Sequence, residues 1–239
     1  MRHKFFDPAR YLLLISAVCL LTAGIIGLSI PSLDGVEKGV VIKEKIGGGK
    51  AKAIYISPKS EDFIFSDHLP KHVVGAIITS EDEDFYTHHG VSMDETIEAA
   101  KFDISHFTLK HGGSTITQQL VKNVYFSSKR TFSRKIAEAI TAVKLEKKLS
   151  KKQILDYYIN IVEFGSGIYG IKEASYCYFK KNPEELTPKE AAALAVLMPR
   201  PKYRGRMLME KGEDNFQKKR IADLLWKMKE NGYLSSSGA

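Results

Sequence analysis

Four clusters along the chain hold residue types that could do chemistry. In the first, Glu81-Asp82-Glu83-Asp84 ends an apolar segment and runs on through Phe85 to His88, His89 and Gly90. Crowded carboxylates raise one another's pKa, which suits a general base working near neutral pH. The plainer reading is an acidic helix end in water. His88 and His89 have no third spaced partner, so they do not spell a metal site.

In the second cluster, Gly112-Gly113-Ser114-Thr115 leads into Ile116-Thr117-Gln118-Gln119 and ends at Lys122-Asn123. Glycines let backbone approach a ligand, and a helix start with free N–H groups attracts phosphate. Gln118 with Lys122, and Gln119 with Asn123, are four apart and share a helix face. A well-capped solvent helix would read the same way. A Walker loop would not, because its lysine stands elsewhere. The third cluster is Arg130, then Arg134-Lys135 and Glu138. Arg134 and Glu138 could be a surface ion pair worth about 0.3–0.5 kcal/mol. They could equally form a cationic site for a pyrophosphate, with Glu138 held among bases and able to bind a divalent ion. The fourth runs from Tyr157 to Gly170 and mixes aromatics with Gly165, Gly167 and Gly170, which suggests a tightly packed loop. Asn160, polar within an apolar helix, needs a hydrogen-bond partner if buried.

Helices must position these groups. Lys71–Ser80 is apolar at helical spacing behind Pro70. Ser92–Lys110 is amphipathic. Thr115–Asn123 opens as a capping box with Gln118 three residues after Thr115. Ser133–Leu149 places Ile136, Ile140, Val143 and Leu145 on one expected buried face. Lys151–Val162, Ile171–Phe179, Pro188–Leu197 and Asn215–Asn231 complete the helical set. Before them, Val40–Ile46 and Ala51–Ile56 alternate around Gly47-Gly48-Gly49, as a short hairpin would. No strand–helix alternation appears, so the expected class is mainly α.

With 239 residues, 44% of them hydrophobic, the chain can bury a real core and is not a disordered one. Tyr11 to Ile30 holds no charge and is long enough to cross a bilayer; Arg2, Lys4 and Arg10 before it place residues 1–10 in the cytoplasm. The expected order is then an anchor at 11–30, a stem at 31–70, a helical domain at 71–234 outside the membrane and a short tail at 235–239. A cleavable signal peptide is the rival reading of the apolar run. The net charge of +8 is unevenly spread. From Lys122 to Lys152 the only acids are Glu138 and Glu146, and a second basic block runs from Arg200 to Asn231. Such blocks suit anionic headgroups or a phosphate-bearing substrate, and the external location disfavours nucleic acid. Cys19 and Cys177 make a poor disulfide pair and show no metal spacing.

Together the clusters resemble the peptidoglycan glycosyltransferase family, found also as the first domain of bifunctional penicillin-binding proteins. Glu81, Asp82, Phe85, His88 and Gly90 match its E-D-x-x-F-x-x-H-x-G motif; Gly112 to Asn123 matches G-x-S-T-I-x-Q-Q-x-x-K-N; Arg134, Lys135 and Glu138 match R-K-x-x-E. Tyr158 to Ile171 resembles the Y-x-N-x-x-x-F-G-x-G-x-x-G-I motif, and Leu186, Glu190, Ala192, Leu194 and Ala195 fit L-x-x-x-E-x-A-x-L-A. Asp84, Lys180 and the Met198-Pro199-Arg200-Pro201 stretch depart from the common pattern.

The resemblance implies a lysozyme-like, two-lobed helical fold on a single N-terminal transmembrane helix. It implies polymerisation of lipid II onto a growing glycan carried on undecaprenyl pyrophosphate, outside the cytoplasmic membrane and beside other cell-wall synthesis proteins. Glu81 would be the general base. Glu138 would assist at the pyrophosphate, with no obligatory cofactor but room for Mg²⁺ or Mn²⁺. Lys122, Arg130 and Arg134 would neutralise the departing charge, and Lys135 would bind substrate. Ser114, Thr115, Gln118, Gln119, Asn123 and Asn160 would position substrate. The apolar Ala99–Leu109 region, with Phe102 and Phe107, would touch lipid or pack into the core. No serine is followed three places on by lysine, so no transpeptidase nucleophile is expected. The rival readings are a lysozyme-like enzyme that cleaves the polymer, which the basic residues around Glu138 disfavour, and a non-catalytic scaffold binding anionic lipid or acidic partners.

Overall fold

The computed structural model describes residues 29–46, 50–92, 113–126 and 131–235, with 16, 24 and 27 besides. Arg130, the expected lipid-touching region 99–109 and nearly all of the expected anchor lie outside them. Among the described residues no helix is long and apolar enough to cross a membrane.

Eight helices and two small antiparallel hairpins make up the described residues, the mainly α class expected. In chain order the helices are α1 (Lys71–Glu81), α2 (Ile116–Tyr125), α3 (Phe132–Glu146), α4 (Lys151–Ile161), α5 (Ile171–Phe179), α6 (Pro188–Leu197), α7 (Pro201–Lys211) and α8 (Asn215–Glu230). Strand β1 (Val40–Ile46) pairs with β2 (Lys50–Ile56), and β3 (Glu163–Gly165) with β4 (Ile168–Tyr169). Local sequence fixes the helix starts. Reciprocal capping boxes open α2 (Thr115 with Gln118), α4 (Ser150 with Gln153), α6 (Thr187 with Glu190) and α8 (Asp214 with Gln217).

Helix α6 is buried along Ala191–Leu197, so it can only sit inside the domain. It packs on α1 and α8, while α2 packs on α3, α4 and β1. The two groups share one core, and the end of α1 meets the start of α2 between them: the Asp82 carboxylate accepts the Ile116 N–H at 2.8 Å.

Three findings correct the sequence reading. Residues 31–70 are not a free stem: Leu33, Val36, Val40, Ile42 and Phe63 are buried in the core. Asn160 ties this segment down, donating from Nδ2 to the Ile64 carbonyl at 2.7 Å and accepting the Ile64 N–H at 2.9 Å. Helix α7 was hidden because Lys202, Arg204, Arg206 and Lys211 leave it no clean apolar stripe; Pro201 fits its first turn, where no N–H is needed. On α3 the buried face is Ala137, Glu138, Thr141, Ala142 and Leu145, with Ile136, Ile140 and Val143 only half-buried.

The small residues on α3 explain that rotation, because they admit the Gly90 backbone. Gly90 has φ +91°, and a Cβ there would lie 2.8 Å from the Ala142 carbonyl carbon and from the Val143 nitrogen. Its carbonyl also accepts the Thr115 hydroxyl at 2.7 Å, tying the loop to the α2 cap. Gly90→Ala is therefore expected to destabilise the fold by about 3 kcal/mol through left-handed strain and overlap with α3. For a domain of this size that is a fall in Tm of about 10 °C, read by thermal unfolding.

Candidate active site

Glu81 is the last residue of α1, where the helix turns out of its core packing. Its Oε2 accepts a 2.9 Å hydrogen bond from Gln119 Nε2 on α2. Gln119 Nε2 also donates to the Ser114 carbonyl at 3.2 Å, and the Tyr158 hydroxyl donates to Gln119 Oε1 at 3.0 Å. A carbonyl can only accept, so the amide nitrogen must face Ser114 and Glu81, and the Gln119 orientation is fixed. The second carboxylate oxygen, Oε1, is shut off from bulk water and accepts no hydrogen bond from the described residues.

Burial dominates the acidity of this group. It pushes the Glu81 pKa up to about 7, against the Gln119 hydrogen bond and the positive charges of Lys122 and Arg204, with Asp82 adding a small upward push. That value suits a group that must accept a proton near neutral pH. Gln119→Leu removes the largest opposing influence, so the acid limb of the pH–rate profile is expected to move up by about one unit. Activity would then fall more at pH 6.5 than at pH 8.5. A loss equal at all pH values would mean that Gln119 does not act through the Glu81 charge.

Asp82 has a different part. It is 1% exposed, and besides the Ile116 N–H it accepts from His88 Nε2 at 2.9 Å. His88 Nδ1 accepts the Gly90 N–H at 3.2 Å, which leaves the ring proton on Nε2, facing Asp82. Below this pair, Glu146 accepts from Lys151 at 2.8 Å and from the Thr117 hydroxyl at 2.6 Å. The second acid and the histidine of the first motif thus form a buried clamp that sets the end of α1 against α2.

Glu138 sits on the inner face of α3, 2% exposed. Arg134 Nη1 lies 2.8 Å from its Oε1, and Lys135 Nζ lies 3.9 Å from its Oε2. Lys135 donates to the Ser114 Oγ at 2.6 Å. Burial lowers the Lys135 pKa, opposed by Glu138 and reinforced by Lys122 and Arg134, so these cations share one neighbourhood. A continuous polar path therefore joins the two acids, from Glu81 through Gln119 and Ser114 to Lys135 and Glu138.

The structure brings together Glu81, Ser114, Gln119, Lys122, Arg134, Lys135 and Glu138. Asn123 is exposed on the last turn of α2. Thr115 and Gln118 face inward as the α2 capping box, and Asn160 is occupied by Ile64, so these three support the site from within the protein. Sequence reasoning missed Arg204, which acts on the Glu81 charge from α7, the helix it did not find. It also missed the His88–Asp82 clamp. A divalent ion does not fit a protein cage here. Glu138 is met by two cations, and among the described residues no three His, Cys, Asp or Glu side chains gather. Two cavities of about 390 and 430 Å³ are lined by neither Glu81 nor Glu138: one lies beside Tyr55 and Tyr176, the other beside Tyr178 and Met209.

Comparison with known proteins places the chain in a family. A family model described as Transglycosylase matches residues 49–229, and the chain belongs to that family. It is 43% identical over 147 residues to a biosynthetic peptidoglycan transglycosylase of Shewanella frigidimarina, covering 62% of this chain and 65% of that protein. It is 37% identical over 179 residues to a monofunctional glycosyltransferase of Staphylococcus haemolyticus, covering 73% and 66% respectively. Penicillin-binding protein 1F of Bacillus subtilis is 34% identical over 244 residues, covering all of this chain and 33% of that protein. The chain thus spans from about a third to about two thirds of the length of these relatives.

Proposed function

We propose that this protein is a membrane-anchored peptidoglycan glycosyltransferase that polymerises lipid II by inverting transfer. The observation that carries the reading is Glu81: a carboxylate with a pKa of about 7, held on Oε2 by Gln119, with Oε1 unengaged. In the reaction, the 4-hydroxyl of the acceptor's GlcNAc attacks C1 of the donor's MurNAc. The new C1–O bond forms on the face opposite the leaving group, so the α linkage becomes β. Glu81 takes the hydroxyl proton as the bond forms. The bond from C1 to the pyrophosphate oxygen breaks, and its electron pair leaves with undecaprenyl pyrophosphate.

Lys122, Arg134 and Lys135 stabilise that departing charge in a site partly withdrawn from water, where fixed cations act more strongly than in bulk. Arg130, two residues before the α3 start, is proposed to join them. Glu138 aligns Arg134 and Lys135 so that their positive groups are in place before charge develops. Ser114 and Gln119 present polar groups between the two carboxylates, and Asn123 offers a contact at the rim. Thr115, Gln118 and Asn160 hold the backbone beneath them. The uncharged Tyr11–Ile30 run supports an anchor with the N-terminus inside and the domain beside the outer leaflet, where lipid-linked substrates lie.

The test is incubation of the purified protein with labelled lipid II, detergent and Mg²⁺ or Mn²⁺, with products resolved on a gel. A ladder of long glycans that a muramidase digests is the expected result. No product from folded protein would favour the scaffold reading, and shortening of added glycan without polymer would favour a cleaving enzyme.

A further inference from the structure

The cavity beside Tyr55 and Tyr176 takes no part in the mechanism above. Its volume of about 390 Å³ is within the range of about 300–1,000 Å³ usual for ligand sites. Its lining comes from the end of β2, the loop at 57–63, β4 and the first turns of α5, with Asn160 of α4. Helix α4 separates it from the catalytic acids. Tyr158 and Asn160 are two residues apart on that helix, about 200° around its axis. The Tyr158 hydroxyl reaches Gln119 and the Glu81 side, whereas the Asn160 amide is taken up by Ile64 and, at 2.7 Å, by the Asp156 carbonyl.

Three tyrosines line the cavity, and two of them are held open to water: Tyr55 is 61% exposed and Tyr176 64%. Tyr55 is kept from folding down. Its hydroxyl donates to the Lys38 carbonyl at 3.0 Å, and its ring lies on Gly39, where a Cβ would come within 2.5 Å of it. Tyr176 stands on α5 with the Lys180 ammonium 5.2 Å from its ring centroid. Lys180 holds that place from a left-handed backbone, φ +58°, the one such non-glycine residue among the described residues. Tyr169, on β4, is set by its own N–H, which donates to Glu173 Oε2 at 3.1 Å. Rings fixed in advance bind without the ordering cost that a mobile side chain adds.

The charges around these rings balance. Asp62 and Glu173 are the acids; Lys172 belongs to the lining and Lys180 stands over Tyr176. Asp62 and Lys172 meet at 2.6 Å, but both are exposed, so the pair is weak and its polar atoms stay open to a ligand. A balanced set disfavours a phosphate or a polycation. It fits a neutral ligand that turns C–H faces to the rings and hydroxyls to the carboxylates and the ammonium, and sugar rings have that chemistry.

We propose that this cavity is a second, non-catalytic site that binds the sugar rings of a glycan strand. The proposal rests on the glycosyl-transfer reading, which names the strand as the GlcNAc–MurNAc polymer. That reading also gives the site a use: it keeps the protein on the polymer while the acids on the other side of α4 extend it. A proline-rich peptide would dock on tyrosine rings as well, so the test includes one.

The full chain in detergent is titrated with purified glycan strands freed of peptide and lipid, and separately with a proline-rich peptide. The initial rate of lipid II consumption is measured alongside. Tyr176→Ala removes an exposed ring and Tyr176→Phe keeps it; Tyr55→Ala removes a second ring of the lining; Tyr203→Ala removes an exposed ring of α7 outside the cavity. Thermal unfolding checks that each variant is folded. The Kd for strands is expected to rise about tenfold or more in both cavity alanine variants and to hold in Tyr176→Phe and Tyr203→Ala, with the lipid II rate unchanged throughout. No strand binding by the native protein at about 1 mM, or a Kd that neither cavity alanine variant moves, would overturn the proposal. Tyrosine-dependent binding of the peptide in place of strands would overturn it too and assign the cavity to a protein partner. A lipid II rate that falls in step with strand binding would make the cavity part of the catalytic cleft, and a separate site would be ruled out. Strand binding through these tyrosines without any polymer from the native protein would remove the glycosyl-transfer reading and leave the site. Polymer from the native protein with strand binding unmoved in the variants would remove only the site.

Discussion

Replacing Glu81 by glutamine is expected to cut the rate of glycan formation about a thousandfold while leaving the protein folded, the loss typical of removing a positioned general base. Glutamine keeps the size of the side chain and can still accept from Gln119, so α1 and α2 should stay in register. The same change should stabilise the protein at alkaline pH. In the folded state the Glu81 pKa is raised from 4.5 to about 7, so the fold binds a proton more tightly than the unfolded chain does. Stability from this group is present below about pH 4.5 and is lost as pH rises through about 7. Above that, the native protein carries a buried charge costing about 3 kcal/mol, which the variant lacks. Initial rates and thermal unfolding at pH 5 and pH 8.5 check both parts. A variant that is inactive and also less stable at pH 8.5 would point to a structural fault instead.

Glu138→Gln is the second large effect expected. The native carboxylate faces two cations, Arg134 at 2.8 Å and Lys135 at 3.9 Å. The acid is buried, but Arg134 is half-buried and Lys135 exposed, so its loss leaves cations that water can reach, at a cost of about 1–3 kcal/mol. On the proposed role, the rate should fall by about a hundredfold or more, because Arg134 and Lys135 would lose the group that aligns them. Rates measured well below the lowered Tm separate the two consequences. Glu138→Asp, which keeps the charge, should recover part of the activity. Full activity in folded Glu138→Gln would remove Glu138 from the mechanism.

Much of this site was legible in the sequence, for identifiable reasons. Capping boxes and Pro70 announce where α1, α2 and α4 begin, so the spacing of Glu81, Gln119 and the α3 bases could be placed on helices in advance. What sequence could not show was which polar residues turn inward. Gln118 and Gln119 are adjacent and alike, yet one closes a cap and the other holds Glu81. Asp82 and His88 sit in the acidic stretch as candidate chemistry, but their pairing is visible only once Gly90 has packed on α3. On α3 the isoleucines outvoted alanines as a core signal, although close backbone approach favours the smaller residues. Arg204 stayed hidden because α7 is too polar to read as a buried helix, and its charge acts on Glu81 from far along the chain.

The account turns on the proton that Glu81 accepts, and the most direct measurement is the pH dependence of kcat/KM for native protein with labelled lipid II between pH 5 and 9. An acid limb with its midpoint near 7, where the Glu81 pKa lies, is the expected result. A rate that holds level down to pH 5 would mean that a group of ordinary carboxylate acidity takes the proton, and would contradict the assignment of Glu81 as the base.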